Sequence, residues 1–136
     1  MKIVLFTDTQ HDILLDSFHD SMKIAEIENL VDFYHVWNAY DLQSVARNAD
    51  YVFIDGSTIQ TESDGFFSRT ANFLKQIMEQ SQNTEWIITG GFGWSYYENY
   101  LTEFKDFHLS YKDMKMIPDF MEQIETKQKQ TGRKRK

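Results

Sequence analysis

The sequence predicts a doubly wound α/β domain, a three-layer sandwich built on a five-stranded parallel sheet. Three observations carry that prediction. Strand-like and helix-like segments alternate along the chain. Three of the strand segments are unbroken apolar runs, the pattern of strands covered on both faces. The chain has 136 residues, of which 41% are hydrophobic, enough for one buried core. No repeat or linker divides it, so residues 1–126 read as a single domain.

The first strand, 2–7, is the run Ile3, Val4, Leu5, Phe6. A helix over 12–28 follows, with Leu14, Phe18, Met22 and Ala25 on one stripe and Asp16, Asp20, Lys23 and Glu26 facing away. Strand two, 31–37, mixes apolar and polar side chains from Val31 to Trp37. A short helix over 40–48 presents Leu42, Val45 and Ala46, and strand three, 50–55, is the run Tyr51, Val52, Phe53, Ile54. The longest predicted helix, 64–81, buries Phe66, Phe67, Thr70, Phe73, Leu74, Ile77 and Met78. Strand four is Glu85 to Thr89, and a helix over 95–105 carries Tyr97, Leu101 and Phe104. A weak fifth strand, 107–110, precedes a last helix over 114–127, whose first turn Pro118 places near Ile117.

Strand character also predicts strand order. Strands one, three and four are unbroken and belong in the middle, whereas two and five are mixed and belong at the edges. Right-handed crossovers then give the order 2-1-3-4-5, the flavodoxin-like arrangement.

Composition narrows the functions. The chain has no cysteine, which excludes a disulfide framework, a thiol nucleophile, an iron–sulfur cluster and a cysteine-based zinc site. A reducing compartment fits, the first apolar run is too short for a signal peptide, and no stretch approaches a membrane span. The cytoplasm is the expected location. The net charge of −7 hides an asymmetry. Residues 127–136 carry six basic side chains and no acid, while residues 1–126 hold eight basic against 21 acidic side chains, a balance of −13. Such a body repels nucleic-acid phosphates; the basic end alone attracts them, and it reads as an unstructured, solvated tail.

In an open sheet of this order, ligands bind beyond the carboxyl ends of the strands, at the switch point between strands one and three. The loops leaving that edge are 7–12, 55–65 and 89–94, all rich in Asp, Ser, Thr or Gly. Turn chemistry accounts for part of that composition. Asp8 and Asp55 end neighbouring strands, and two adjacent carboxylates suit a hard cation such as magnesium or acid–base work. Capping of the following turns is the alternative role. Ser57, Thr89, Gly90 and Gly91 complete a ligand-binding set, since a glycine-rich strand-to-helix turn lets backbone amides approach a phosphate. The Gly-Gly-Phe-Gly run at 90–93 nevertheless matches neither the dinucleotide fingerprint nor the P-loop. Of four histidines, which show no metal spacing, only His11 lies in a candidate site loop.

Asp8, Asp55, Thr89 and Lys112 fall at the ends of strands one, three, four and five, and in this the chain resembles the receiver domains of response regulators over most of residues 2–126. The resemblance implies Asp55 as phospho-acceptor, Asp8 as metal-binding acid, and Thr89 and Lys112 as switch residues. Thr7 stands where receivers carry a second acid, and Asp113 stands where they carry a proline. A fainter likeness joins residues 49–56 and 63–65 to the strand-plus-acidic-loop segment of the nucleoside deoxyribosyltransferases, whose nucleophilic glutamate has no counterpart in 66–72.

Two readings follow. The favoured one is a non-catalytic binding or regulatory module, an inhibitor or adaptor whose acidic body engages a protein partner. The other is a phosphate- or nucleotide-ligand site, or a small enzyme, using Asp8 and Asp55 with magnesium at the carboxyl edge. No complete catalytic constellation is present, so the sequence leans away from an enzyme.

Overall fold

A computed structural model describes residues 1–7, 12–37, 39–55, 66–90, 104, 107 and 109–134. Its strands are β1 (Lys2–Phe6), β2 (Asp32–Val36), β3 (Tyr51–Asp55), β4 (Glu85–Gly90) and β5 (Leu109–Asp113). The α-helices among the described residues are α1 (Asp12–Ile24), α2 (Ala39–Ala46), α3 (Phe66–Gln80) and α4 (Ile117–Lys134). All strand pairs are parallel and the order is β2-β1-β3-β4-β5, as the apolar runs predict.

Alternation along the strands feeds two cores. On one face Ile3, Leu5, Phe53 and Ile87 pack with Leu14, Phe18 and Met22 of α1 and with Ile117, Phe120, Met121 and Ile124 of α4. On the other, Val4, Val52, Ile54 and Ile88 pack with Leu42 and Ala46 of α2 and Leu74, Ile77 and Met78 of α3. The helix expected over 95–105 lies outside the described residues except for Phe104, which is buried in this second layer.

Most boundaries shift by a residue or two from the sequence prediction, and three of the differences are instructive. Helix α1 ends at Ile24, because Glu26 takes φ 56° and closes a Schellman motif. The Glu26 amide donates to Lys23 O at 3.1 Å and the Ile27 amide to Met22 O at 3.0 Å, with Ile27 and Met22 both buried in the same core. Strand β5 starts at Leu109, two residues late, after a turn in which the Phe107 amide bonds Phe104 O. Helix α4 runs to Lys134, so the backbone of 127–134 is helical where the sequence predicts an unstructured tail. Pro118 sits in the first turn of α4, which needs no amide donor there. No described helix is long and apolar enough to cross a membrane.

Candidate functional site

The parallel register brings the carboxyl ends of four strands into one row. Phe6 is paired with Ile54, so the next residues, Thr7 and Asp55, stand side by side; Asp55 is paired with Thr89, and Thr89 with Lys112. Register neighbours in a parallel sheet share a face. The row Thr7, Asp55, Thr89, Lys112 therefore continues the face of Leu5, Phe53 and Ile87, beneath α1 and α4. The Lys112 ammonium confirms that side, lying 5.7 Å from the ring centroid of Phe120 on α4.

This row is deeply placed. Thr7 and Thr89 are fully buried, and Asp55 is 3% exposed. The Thr7 hydroxyl donates to Asp55 Oδ2 at 3.0 Å. The Thr89 hydroxyl oxygen is shielded from solvent and has no hydrogen-bond partner, an uncommon state for a buried polar atom. A carboxylate, an unengaged hydroxyl and an ammonium in one row can hold a group that both accepts and donates hydrogen bonds.

Of the residues singled out in the sequence, the register makes Asp55 and Thr89 neighbours on adjacent strands, with Lys112 on the strand after them. Lys112 lies inside β5 rather than beyond it, a consequence of the strand's later start. Gly90 ends β4, one position past Thr89. Asp8, His11, Ser57 and Gly91 lie outside the described residues. Asp55 is the one member of the proposed magnesium pair among the described residues, and no group of three or more acidic or histidine side chains suited to a metal ion occurs among those residues. Thr7 went unselected in the sequence; its position right after the apolar run of β1 was the available signal.

A second feature lies along β2, the outermost strand on its side of the sheet. Phe33, His35 and Trp37 alternate along the α1 face, with ring centroids of Phe18 and Phe33 5.7 Å apart, His19 and Phe33 5.2 Å, and His35 and Trp37 5.6 Å. Tyr34 points to the other face, where the Lys2 ammonium lies 5.0 Å from its ring. Tyr34, Trp37 and, at the start of α2, Tyr40 are 43%, 57% and 77% exposed. Partial burial holds the His35 pKa below its ordinary value, and the neighbouring charge of His19 adds to the effect.

No family model matches the chain. Nor does any curated protein. Among solved structures the chain is similar to a "putative lipoprotein from Peptoclostridium difficile 630 (fragment)", at 10% identity over 86% of this chain and 88% of that one, with a TM-score of 0.47. A likeness at that level carries no argument about the function of this chain.

Proposed function

We propose that the chain is a non-catalytic binding module that engages a basic protein partner along the β2 edge. The observation that carries this reading is the concentration of exposed rings there, Tyr34, Trp37 and Tyr40, on and beside a strand whose outer side has no strand neighbour among the described residues. Tyrosine and tryptophan supply large contact area at small entropic cost and dominate many protein interfaces. An open strand edge adds main-chain hydrogen bonds to an extended segment of a partner. The −13 balance of residues 1–126 favours a basic partner surface and disfavours nucleic acid on the body, leaving nucleic-acid phosphates to the basic segment 127–136. The lack of cysteine agrees with a cytoplasmic setting.

Affinity capture with the wild-type chain and with a Trp37→Ala/Tyr40→Ala variant tests the reading. A protein retained by the wild type at low salt, released at high salt and not retained by a folded variant supports it. Equal capture by both chains overturns it.

A second reading is favoured by one observation, the unpartnered Thr89 hydroxyl beside Asp55 and one strand from Lys112. It is a receiver-like site for a phosphorylated small molecule or acyl phosphate, with magnesium held through Asp55 and Asp8. Thermal-shift measurements with acetyl phosphate and with nucleotides, each with and without magnesium, address it. Stabilisation that disappears in Asp55→Ala supports the site, and a flat screen removes it.

A further inference from the structure

The rings on the α1 side of β2 include one that can change its charge. His35 stands between Phe33 and Trp37 on that face, its ring centroid 5.6 Å from that of Trp37 and the planes at 63°. The main chain beneath it is held fast. His35 is paired with Leu5 of β1, and the Thr7 amide donates to Val36 O at 3.0 Å. A change at His35 is therefore taken up by side chains and leaves the strand in place.

The Nε2 atom of His35 is shielded from solvent and has no hydrogen-bond partner. In neutral imidazole, whichever tautomer is present, this leaves one bond unmet. In imidazolium both nitrogens carry hydrogen, so a charged donor stands unpaired, which costs more. The described groups around His35 do not offset that cost. Leu5 of β1 is apolar and fully buried. From α1, His19 packs its ring 5.2 Å from Phe33, and its charge opposes a second one on His35. Asp16, Asp20 and Lys23 of the same helix are exposed. Lys2 of β1 lies over Tyr34 on the opposite face, to which Asp32 also belongs. A cation against the exposed Trp37 ring gains less than an unpaired buried charged donor loses. Burial first, and the charge of His19 second, accordingly hold the pKa of His35 below its ordinary value. The charged ring is relieved by turning outward into water, past a strand edge with no strand neighbour among the described residues.

We infer that protonation of His35 swings its ring off Trp37, which makes the β2 edge a pH-sensitive surface that releases a basic partner in acid. The ring movement stands on the geometry of His35; the release rests on the docking role proposed for this edge. Two effects drive that release in the same direction. Trp37, more than half exposed, loses the ring that braces it. An imidazolium near His19 also puts positive charge where a basic partner has to sit.

Two measurements on the full chain test the inference. In proton–nitrogen spectra recorded between about pH 8 and about pH 5, the range in which histidine titrates, the Trp37 indole signal moves with the midpoint of the His35 ring protons. The signal of Trp86, buried in the other core, is the reference. His35→Gln abolishes the movement, and His19→Gln raises its midpoint. A Trp37 signal that does not follow His35, or that still moves in His35→Gln, overturns the switch. An end-blocked peptide alternating Lys and Val, a simple basic extended segment, then probes the edge. It binds about fivefold more weakly near pH 5 than near pH 7.5, and His35→Gln shrinks the difference. Equal binding at the two pH values overturns the release. A peptide bound at neither pH counts against the docking role alone, while a Trp37 signal that follows His35 still upholds the ring movement.

Discussion

The Thr7 hydroxyl and the Asp55 carboxylate meet at 3.0 Å across the β1–β3 seam, both of them buried at the carboxyl edge of the sheet. A buried acceptor deprived of a donor costs about 1–3 kcal/mol. Thr7→Val keeps the shape and removes the donor, so it lowers unfolding free energy by roughly that amount. Asp55→Asn, whose neutral amide needs less compensation, recovers part of the loss in the Thr7→Val background. Chemical denaturation of the four chains of this double-mutant cycle measures the coupling, and strictly additive effects count against a direct interaction.

Glu26 closes α1 with a left-handed backbone at φ 56°, a conformation that disfavours any residue with a Cβ. Replacing it by glycine retains the Schellman hydrogen bonds and relieves the strain. Glu26→Gly is expected to stabilise the fold by about 0.5–1 kcal/mol, while Glu26→Ala gains nothing. A thermal melt that drops for the glycine variant contradicts the assignment of this cap.

Thr84 fastens the β4 turn through its bond to Ala49 O, and its hydroxyl lies 3.4 Å from Ala46 O. Thr84→Val leaves a buried carbonyl unsatisfied and destabilises by about 1–3 kcal/mol, whereas Thr84→Ser keeps the donor and loses less. A loss confined to Thr84→Ser, with Thr84→Val unaffected, assigns the effect to the methyl group instead.

His35 is held below its ordinary pKa of 6.5, first by burial and second by the charge of His19. The unfolded chain therefore binds more protons than the folded one between the depressed value and 6.5. The contribution of His35 is fully present above pH 6.5 and is lost as the pH falls from there through the folded-state pKa. Melting temperature accordingly decreases on acidification through this window, and it decreases less in His35→Gln. Wild type and variant with parallel pH profiles argue against this linkage.

Strand order was legible because burial on both faces leaves a direct mark in composition. Val52, Phe53 and Ile54 sit in a central strand and are all apolar, whereas Asp32 and Tyr34 sit at an edge. The stripe Leu14, Phe18, Met22, Ala25 was equally plain and is buried throughout. The fifth strand was misplaced because Phe107 and Leu109 look more strand-like than Ser110 to Asp113, although Phe107 belongs to a turn and the polar residues pair with β4. The end of α1 carried no glycine to mark it. Asp55 and Thr89 were found from their places at strand ends, but the burial of Thr89 and its lack of a partner depend on what packs over the row.

The sheet order also sets a schedule for the nascent chain. Once β1 and β2 have paired, β3 is laid on the free side of β1, and β4 and β5 are then each laid on the strand made just before: β4 on β3, β5 on β4. Growth is one-directional and follows synthesis, so each temporarily bare side is covered by the next strand to leave the ribosome. Two outer sides, those of β2 and β5, have no strand neighbour among the described residues, and of these the β2 side is present from the first pairing onward.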